Sequence, residues 1–428
     1  MTIETKLTVD EAIAAILSEV RCLPVVRVPL DAALGQVLAE DVISDRDSPP
    51  FDKALMDGYA VRSADVAQGS ATLRVIDEIT AGQVPRVPIV PGAAARIMTG
   101  APVSEGADAV VAVEQTRLHD EDSGTVFVQI ESTPVAAGRN ILKQGASTRR
   151  GTRVLAEGRQ IRAQEIGALA ELGKDYVAVY ARPRVAVLST GDELVPAGCT
   201  PGPGQIRNSN EVMLSAQLRQ MGAVPVPLGV ARDDRRELRE AIGRGLACDM
   251  LLLSGGVSAG KLDLVPEVLS ELGVRQVFHK VRVKPGQPVW FGMLDLRTAD
   301  RDCENGRSRT DDLPKRPCCV FGLPGNPVSS MVCCELFART AVRRMMGIEP
   351  AAPRGLRARL SRDHFNSGNR PTYHPARWEL TDSGAVVEPV KWVGSADLSA
   401  TVEANAMVLF PEGGRTFSAG TTLDVYVW

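Results

Sequence analysis

Three strings rich in glycine and hydroxyls stand where short apolar runs give way to polar sequence. They are Ser189-Thr190-Gly191-Asp192-Glu193, Ser254-Gly255-Gly256-Val257-Ser258-Ala259-Gly260 and Leu323-Pro324-Gly325-Asn326-Pro327-Val328-Ser329-Ser330. Glycines let a backbone approach a ligand closely, and N–H groups at a helix start favour negative charge. Such strings suit a phosphate or another small oxyanion. A strand-to-helix turn explains any one of them; three in one chain favour a site. Three carboxylates, Glu193, Asp233 and Asp263, fall at or just past successive strand ends. Acids beside an anion repel it unless a cation intervenes, and Mg²⁺ held by one or two carboxylates with substrate phosphate meets that need. A helix cap explains Asp233 equally well. In Lys280-Val281-Arg282-Val283-Lys284, cations alternate with valines. On a strand that spacing puts three positive side chains on one face, suited to a small dianion, although a solvated face is the plainer account.

Other chemistries lack their residues. There is no Walker loop, no G-x-G-x-x-G after a strand and no H-E-x-x-H, and the four histidines are dispersed. Ser189 and Ser258 have no G-x-S-x-G setting, which argues against a hydrolase elbow.

The elements that must carry these strings are legible in part. Thr8 and Glu11 form a capping box, and Ala12, Ile13, Ile16, Leu17 and Val20 follow at helical spacing. A helix is predicted to about Val20, with Pro24 stopping it. Residues 25–150 change character, with β-rich runs at 25–28, 73–76, 109–113 and 125–130 between Pro and Gly turns. They predict one or two small, mostly β subdomains. A helix returns at 164–172, closed by Gly173. Strands at 185–188, 224–230 and 250–253 then alternate with helices at 211–220, from Asp233 or Asp234 to about 246, and at 264–272. Alternation of this length predicts a parallel, doubly wound sheet, whose ligands bind beyond the carboxyl ends of its strands. The polar stretch 295–317 reads as an exposed hairpin insertion, 326–346 as a long helix, 350–353 as a linker and the remainder as a small β domain.

With 428 residues the chain has room for about three domains. Its net charge of −3 gives no basic excess for a nucleic-acid partner, and 44% hydrophobic against 24% charged residues is a globular balance. No apolar run reaches the roughly 18 residues that span a bilayer. No secretory signal is visible, so the cytoplasm is the expected location. The eight cysteines include no C-x-x-C and two adjacent pairs, Cys318-Cys319 and Cys333-Cys334, and are expected as reduced, packed thiols.

Six strings occur in an order that resembles one family. They are Phe51-Asp52-Lys53-Ala54-Leu55-Met56-Asp57-Gly58-Tyr59, Arg96-Ile97-Met98-Thr99-Gly100-Ala101-Pro102, Ser189 to Leu194, Ser254 to Ser258, Lys284-Pro285-Gly286, and Leu323 to Ser329. Together they resemble the molybdopterin molybdenumtransferases, the family of bacterial MoeA and the gephyrin E domain. The resemblance implies a multidomain α/β fold: an elongated discontinuous domain (1–45 and 148–181), an inserted β-rich subdomain (46–147), a doubly wound α/β molybdopterin-binding domain (182–347) and a C-terminal β barrel (348–428). It implies insertion of molybdate into adenylylated molybdopterin with release of AMP, assisted by Mg²⁺. It also implies a homodimer, with molybdoenzymes or other cofactor-synthesis proteins as further partners.

Matched by motif, Glu193, Asp233 and Asp263 take the roles tied to Mg²⁺ and adenylate cleavage, and Asp57 and Thr99 lie on the cross-dimer face of the catalytic site. Ser254, Gly255, Gly256, Ser258, Lys280, Lys284, Pro324, Gly325, Asn326, Pro327 and Ser329 match substrate-binding positions, as do Arg370 and Ser399 in the C-terminal domain. Many members carry Arg followed by Gly-Glu-Asp where this chain has Leu142-Lys143-Gln144-Gly145-Ala146-Ser147, and Lys where it has Gln287. The missing second cation at Gln287 predicts molybdate capture that is weakened without being abolished. The differences together leave open a homologue that binds the pterin without turning it over. The large flanking domains argue against the related adenylyltransferase step, and intact Glu193, Asp263 and Lys284 favour the active enzyme.

Overall fold

The computed structural model describes residues 6–120, 125–131, 134–256, 264–295 and 316–428. Ser258, Asp263 and nearly all of the 295–317 insertion therefore lie outside the described residues. The chain divides into two compact units, one of Met1–Ala39, Gly158–Ile166 and Asp175–Trp428, the other of Glu40–Glu157 and Gly167–Lys174.

The first unit begins with helix α1 (Val9–Glu19), whose capping box forms as the sequence predicts: the Thr8 hydroxyl accepts from the Glu11 amide, and Glu11 accepts from the Thr8 amide. Next comes Val25–Pro29, which pairs antiparallel with Tyr176–Tyr180 along five residues. The sequence placed that run with the β-rich 25–150 region; the long-range ladder assigns it to this unit instead.

A six-stranded sheet forms the body of the unit. In chain order its strands are β1 (Arg184–Thr190), β2 (Val224–Ala231), β3 (Met250–Ser254), β4 (Arg275–His279), β5 (Trp290–Leu294) and β6 (Cys318–Leu323). Their spatial order is β2-β1-β3-β6-β5-β4. Strands β2, β1, β3 and β6 are mutually parallel, while β5 runs antiparallel to both neighbours. The sheet is therefore mixed rather than wholly parallel. The insertion joins β5 to β6, which Leu294 opposite Cys318 pairs as a hairpin.

Side chains alternate across the sheet, and both faces are buried. Val185, Val187, Met250, Leu252, Cys319 and Phe321 enter one core with α1, helix α2 (Asn210–Gln220) and the helix after β6. Ala186, Leu188, Leu251, Leu253, Cys318 and Val320 enter the other, under α3 (Arg235–Gly245) and α4 (Val265–Glu271). Near-continuous aliphatic strands are what two covered faces require. The helix predicted at 326–346 is a rod in three parts: α5 (Pro327–Cys333), a π turn (Cys334–Ala338) and α6 (Arg339–Met345). The adjacent cysteine pairs are buried, and desolvation pushes the thiols of Cys319 and Cys333 up, as packed groups require.

The C-terminal region closes into a five-stranded barrel, Leu356–Leu360, Gly384–Pro389, Thr372–Thr381, Ala406–Phe410 and Thr422–Val427 in spatial order. The second unit is built on another six-stranded sheet, with Gly58–Val61 between Ala109–Ala112 and Ala93–Ile97. Among the described residues no helix is long and apolar enough to cross a membrane.

One histidine makes the barrel sensitive to acid. His374 is buried, its Nε2 lies 3.0 Å from the Val390 carbonyl oxygen, and its ring meets His364 and Trp392 edge-on. Burial, with His364, Lys284 and Arg362 nearby, lowers its pKa from 6.5 to about 4. The folded state thus resists a proton that the unfolded chain accepts, so stability falls as pH drops from 6.5 towards 4. At 1.36 kcal/mol per pH unit between those values, the loss is roughly 3 kcal/mol. In His374→Gln, urea unfolding across that window should show a markedly smaller loss; an unchanged slope would assign the sensitivity to other groups.

Candidate functional site

Parallel pairing brings the sequence strings together. Ser189 of β1 lies opposite Ser254 of β3, Ser254 lies opposite Leu323 of β6, and Thr190 lies opposite Ala231 of β2. All four strands therefore end at one level, and the loops that follow are neighbours. The Gly255 amide donates to the Leu323 carbonyl at 3.1 Å, joining the second and third strings.

Gly255 and Gly256 are needed for space as well as conformation. Their φ angles are +98° and +65°, and a Cβ on Gly255 would sit 2.6 Å from the Thr190 carbonyl oxygen. On Gly256 it would meet Val265 Cγ2 at 2.7 Å and Thr190 Oγ1 at 2.8 Å. Thr190 itself is 4% exposed, and its hydroxyl is buried without a partner among the described residues.

A residue that the motifs did not single out ties these loops together. Asn210, the first residue of α2, donates through Nδ2 to Ser254 Oγ at 2.6 Å and to the Gly325 carbonyl at 2.7 Å. Nearby, Ser189 Oγ is bonded to Asn208 Oδ1, and Asn208 donates to Glu211, whose carboxyl pKa is raised by desolvation. The signal in the sequence was Asn208-Ser209-Asn210-Glu211, which reads as an ordinary helix start.

In the third string, Pro324 is buried, Gly325 and Asn326 are exposed, and Pro327 opens α5. Ser329 is only 4% exposed. Asn326 Nδ2 donates to Ser395 Oγ at 2.9 Å. Ser399 is exposed on the turn Ser399–Glu403, so of these two serines it is Ser395 that holds the third loop.

Of the three acids named from the sequence, Glu193 and Asp233 lie among the described residues. The exposed Glu193 carboxylate folds back over Gly191, its oxygens 2.5 and 2.7 Å from the position a Cβ would take there. Asp192 Oδ1 accepts from the Asp233 amide at 3.3 Å, which links the loops after β1 and β2. Asp234 is the cap of α3, accepting from the amides of Arg236 and Glu237, so Asp233 does not have that duty. Among the described residues no three His, Cys, Asp or Glu side chains converge as a metal site; Asp263 lies outside them.

The Lys280–Lys284 segment is not the regular strand expected. Lys280 has φ of +68°, and in place of a regular ladder the segment forms isolated bridges, Val281 with Leu7 and Lys284 with Thr372, while the amides of Lys280 and Val281 turn back onto the carbonyls of Val289 and Gln287. The left-handed turn at Lys280 interrupts the ladder after β4. Val281 and Val283 are nonetheless buried between the cations, and Arg282 pairs with Glu412. Lys284 is fixed by its backbone, its N–H donating to the Pro371 carbonyl at 2.9 Å and its carbonyl accepting from Tyr373 at 2.8 Å. Gly286 packs on Cys333 of α5, whose Sγ is 3.5 Å from its carbonyl oxygen. Gln287 is not a simple loss of charge. Its side chain accepts from the Arg370 guanidinium, which also donates to the Val283 carbonyl at 3.3 Å. The barrel thus supplies a cation at the position where the sequence showed none.

In the second unit, Asp57 and Thr99 form one pair. Asp57 Oδ1 accepts from the Thr99 amide at 2.7 Å and from its hydroxyl at 2.6 Å. The Thr99 hydroxyl bond, with the amide bond, holds the Asp57 carboxyl below the usual range. Gly58 is compelled by its neighbour strand: a Cβ there would lie 1.8 Å from the Val111 oxygen. The departing loop at 142–147 is anchored by two acids distant in sequence. Lys143 pairs with Asp52 at 2.7 Å, the Gln144 amide donates to Asp52 at 2.8 Å, and its side chain reaches Asp47 at 3.0 Å.

Known proteins match this chain along nearly its whole length. Residues 7–173 fit the family model of the MoeA N-terminal region (domains I and II), 186–344 that of a probable molybdopterin binding domain, and 357–428 that of the MoeA C-terminal region (domain IV). A molybdopterin molybdenumtransferase of Staphylococcus aureus (strain COL) is 33% identical, the match covering 97% of this chain and 94% of that one. A Staphylococcus epidermidis protein of the same name is 34% identical over 98% and 95%. The solved molybdopterin biosynthesis MoeA protein of Pyrococcus horikoshii superposes with a TM-score of 0.79 at 29% identity, covering 99% of each chain. With the three family models in order and relatives matched from end to end, the chain belongs to the molybdopterin molybdenumtransferase family.

Proposed function

We propose that this enzyme of molybdenum cofactor biosynthesis binds adenylylated molybdopterin at the level ends of β1, β3 and β6, joins molybdate to the dithiolene and releases AMP. The row of strand ends carries the reading, because it sets Ser254, Gly255 and Gly256 beside the exposed Gly325 and Asn326. In this reading Ser254 and the loop amides hold the phosphate of the adenylyl group. Lys284, fixed by its own backbone, presents its ammonium to molybdate, with Arg370 as a second cation. Lys280 contributes longer-range positive potential. Pro324, Pro327 and the buried Ser329 shape the third loop rather than touch substrate.

The oxygen-donor chemistry of Glu193 and Asp233 fits Mg²⁺, which needs only one or two carboxylates when substrate phosphate and water complete its shell. Those two residues would hold the ion, with Asp263 a third candidate on sequence alone. When bound, it would neutralise charge on the phosphate. A homodimer belongs to the same proposal. Exposed Phe51, Leu55 and Met56 precede Asp57, an apolar surface suited to burial against a second chain. We place the enzyme in the cytoplasm, from which its product passes to molybdenum-using enzymes.

Three measurements test the proposal. Incubation with adenylylated molybdopterin should release AMP in step with molybdate, and chelation of Mg²⁺ should suppress it; no release under any condition would leave a binding protein. Lys284→Ala should raise the molybdate requirement roughly tenfold or more, the scale of a lost charge-assisted bond, with AMP affinity changed less than about twofold. Equal loss of both would assign Lys284 to the nucleotide. Lastly, Asp57→Ala and Glu193→Ala chains, each inactive alone, should regain part of the activity when mixed under subunit exchange. Proven exchange without recovery would remove Asp57 from a site shared between chains.

A further inference from the structure

A phosphate site fails when uncapped carbonyls face it, because they repel the anion that amides attract. The third loop answers this at every residue. The Leu323 carbonyl accepts from the Gly255 amide at 3.1 Å, that of Pro324 from the Ser330 hydroxyl, that of Gly325 from Asn210 Nδ2 at 2.7 Å and that of Asn326 from the Ser330 amide at 3.0 Å. Each of the four carbonyls accepts a bond within the protein, and the amides of the exposed Gly325 and Asn326 are left to act as donors. Of the four bonds, only that to Gly325 comes from a side chain outside the paired strand ends and α5.

The same amide group acts on Ser254, which is 2% exposed. Nδ2 can only donate, so Ser254 Oγ must accept from it at 2.6 Å. One lone pair is thereby taken, and the hydroxyl hydrogen must point elsewhere. It has no acceptor among the described residues. The orientation of Asn210 is itself fixed by chemistry: the Gly325 carbonyl is a pure acceptor, so the nitrogen and not Oδ1 must face it. Oδ1 is left buried without a partner among the described residues, and Asn210 as a whole is 8% exposed. Both amide hydrogens are thus committed to the site at the expense of the oxygen.

We infer that Asn210 is a positioning residue that turns the Ser254–Gly325 side of the substrate-phosphate site towards donors, by capping the Gly325 carbonyl and aiming the Ser254 hydroxyl. This rests on the proposed binding of adenylylated molybdopterin at these strand ends. Its role is electrostatic, so it bears on the charged part of the ligand and leaves the neutral part alone.

Calorimetric titration of the full chain with AMP and with adenosine separates this from a merely structural role. Asn210→Asp, which replaces the donor by a charged acceptor against Gly325, should weaken AMP at least about tenfold, and Asn210→Ala severalfold. Adenosine affinity should change less than about twofold in both. Equal weakening of AMP and adenosine, or unchanged AMP affinity, overturns the inference. Should the Asn210 variants not fold, Ser254→Ala keeps Asn210 and removes only the aimed hydroxyl. A selective severalfold loss of AMP is then expected, and unchanged AMP binding overturns the inference. If the unaltered chain binds no AMP, the phosphate site itself fails and the inference with it. If the unaltered chain binds AMP but releases none from adenylylated molybdopterin, the proposed reaction fails alone.

Discussion

Level pairing of parallel strands is the constraint on which the site depends. Thr190, Ser254 and Leu323 can cooperate only because β1, β3 and β6 end together. In a sheet with one wet face, hydrophobic alternation fixes such a register, since a one-residue slip exposes the apolar set. Here both faces are apolar: Leu251 and Leu253 could trade places with Met250 and Leu252 without meeting water. Alternation alone therefore specifies little. Packing volumes and the polar stitches at the strand ends, Asn210 to Ser254 and Gly325 and Gly255 to Leu323, supply the missing discrimination. The bonds that prepare the site also help to set the sheet.

Signals carried by neighbours along the chain are the ones the structure reproduces best. The capping box at Thr8 and Glu11 and the strand–helix alternation after residue 184 are both present, and β5 and β6, which flank the 295–317 insertion, pair antiparallel. What the sequence hid is long-range. The reversal of β5 has no local mark, because an aliphatic run reads alike in either direction. Lys280 to Lys284 keeps the burial period of a strand, and nothing in its composition announces the left-handed turn at Lys280. Asp233 and Asp234 are chemically equivalent caps until geometry chooses the second. Asn210 is inconspicuous in the sequence because an asparagine at a helix start has a sufficient explanation already. Of the motif positions named beforehand, Asp57 and Thr99 meet in one hydrogen-bonded pair, and Ser254 and Gly325 share a partner.

The apparent losses of charge look different in three dimensions. Gln287 was read as a missing cation, yet it cradles the guanidinium of Arg370 from the barrel. A lysine there would oppose that guanidinium, so the neutral side chain and the distant arginine are consistent with one another. Around residues 142–147, Asp47 and Asp52 anchor the loop through Lys143, Gln144 and the Arg150 amide. In both places the net electrostatics depend on residues far away in sequence, which single-position comparison with a family pattern does not weigh.

The pairing of Leu294 with Cys318 has an architectural consequence. It places the roots of the β5–β6 connection at the start of β6, whereas the loop proposed to hold the phosphate leaves β6 at Leu323, the opposite end of the same strand. Sequence added between those roots enters a full strand length away from the ends that bring Ser254 and Gly325 together. One strand therefore carries the candidate site at one end and, at the other, a junction where docking or regulatory sequence could be added without passing through the site.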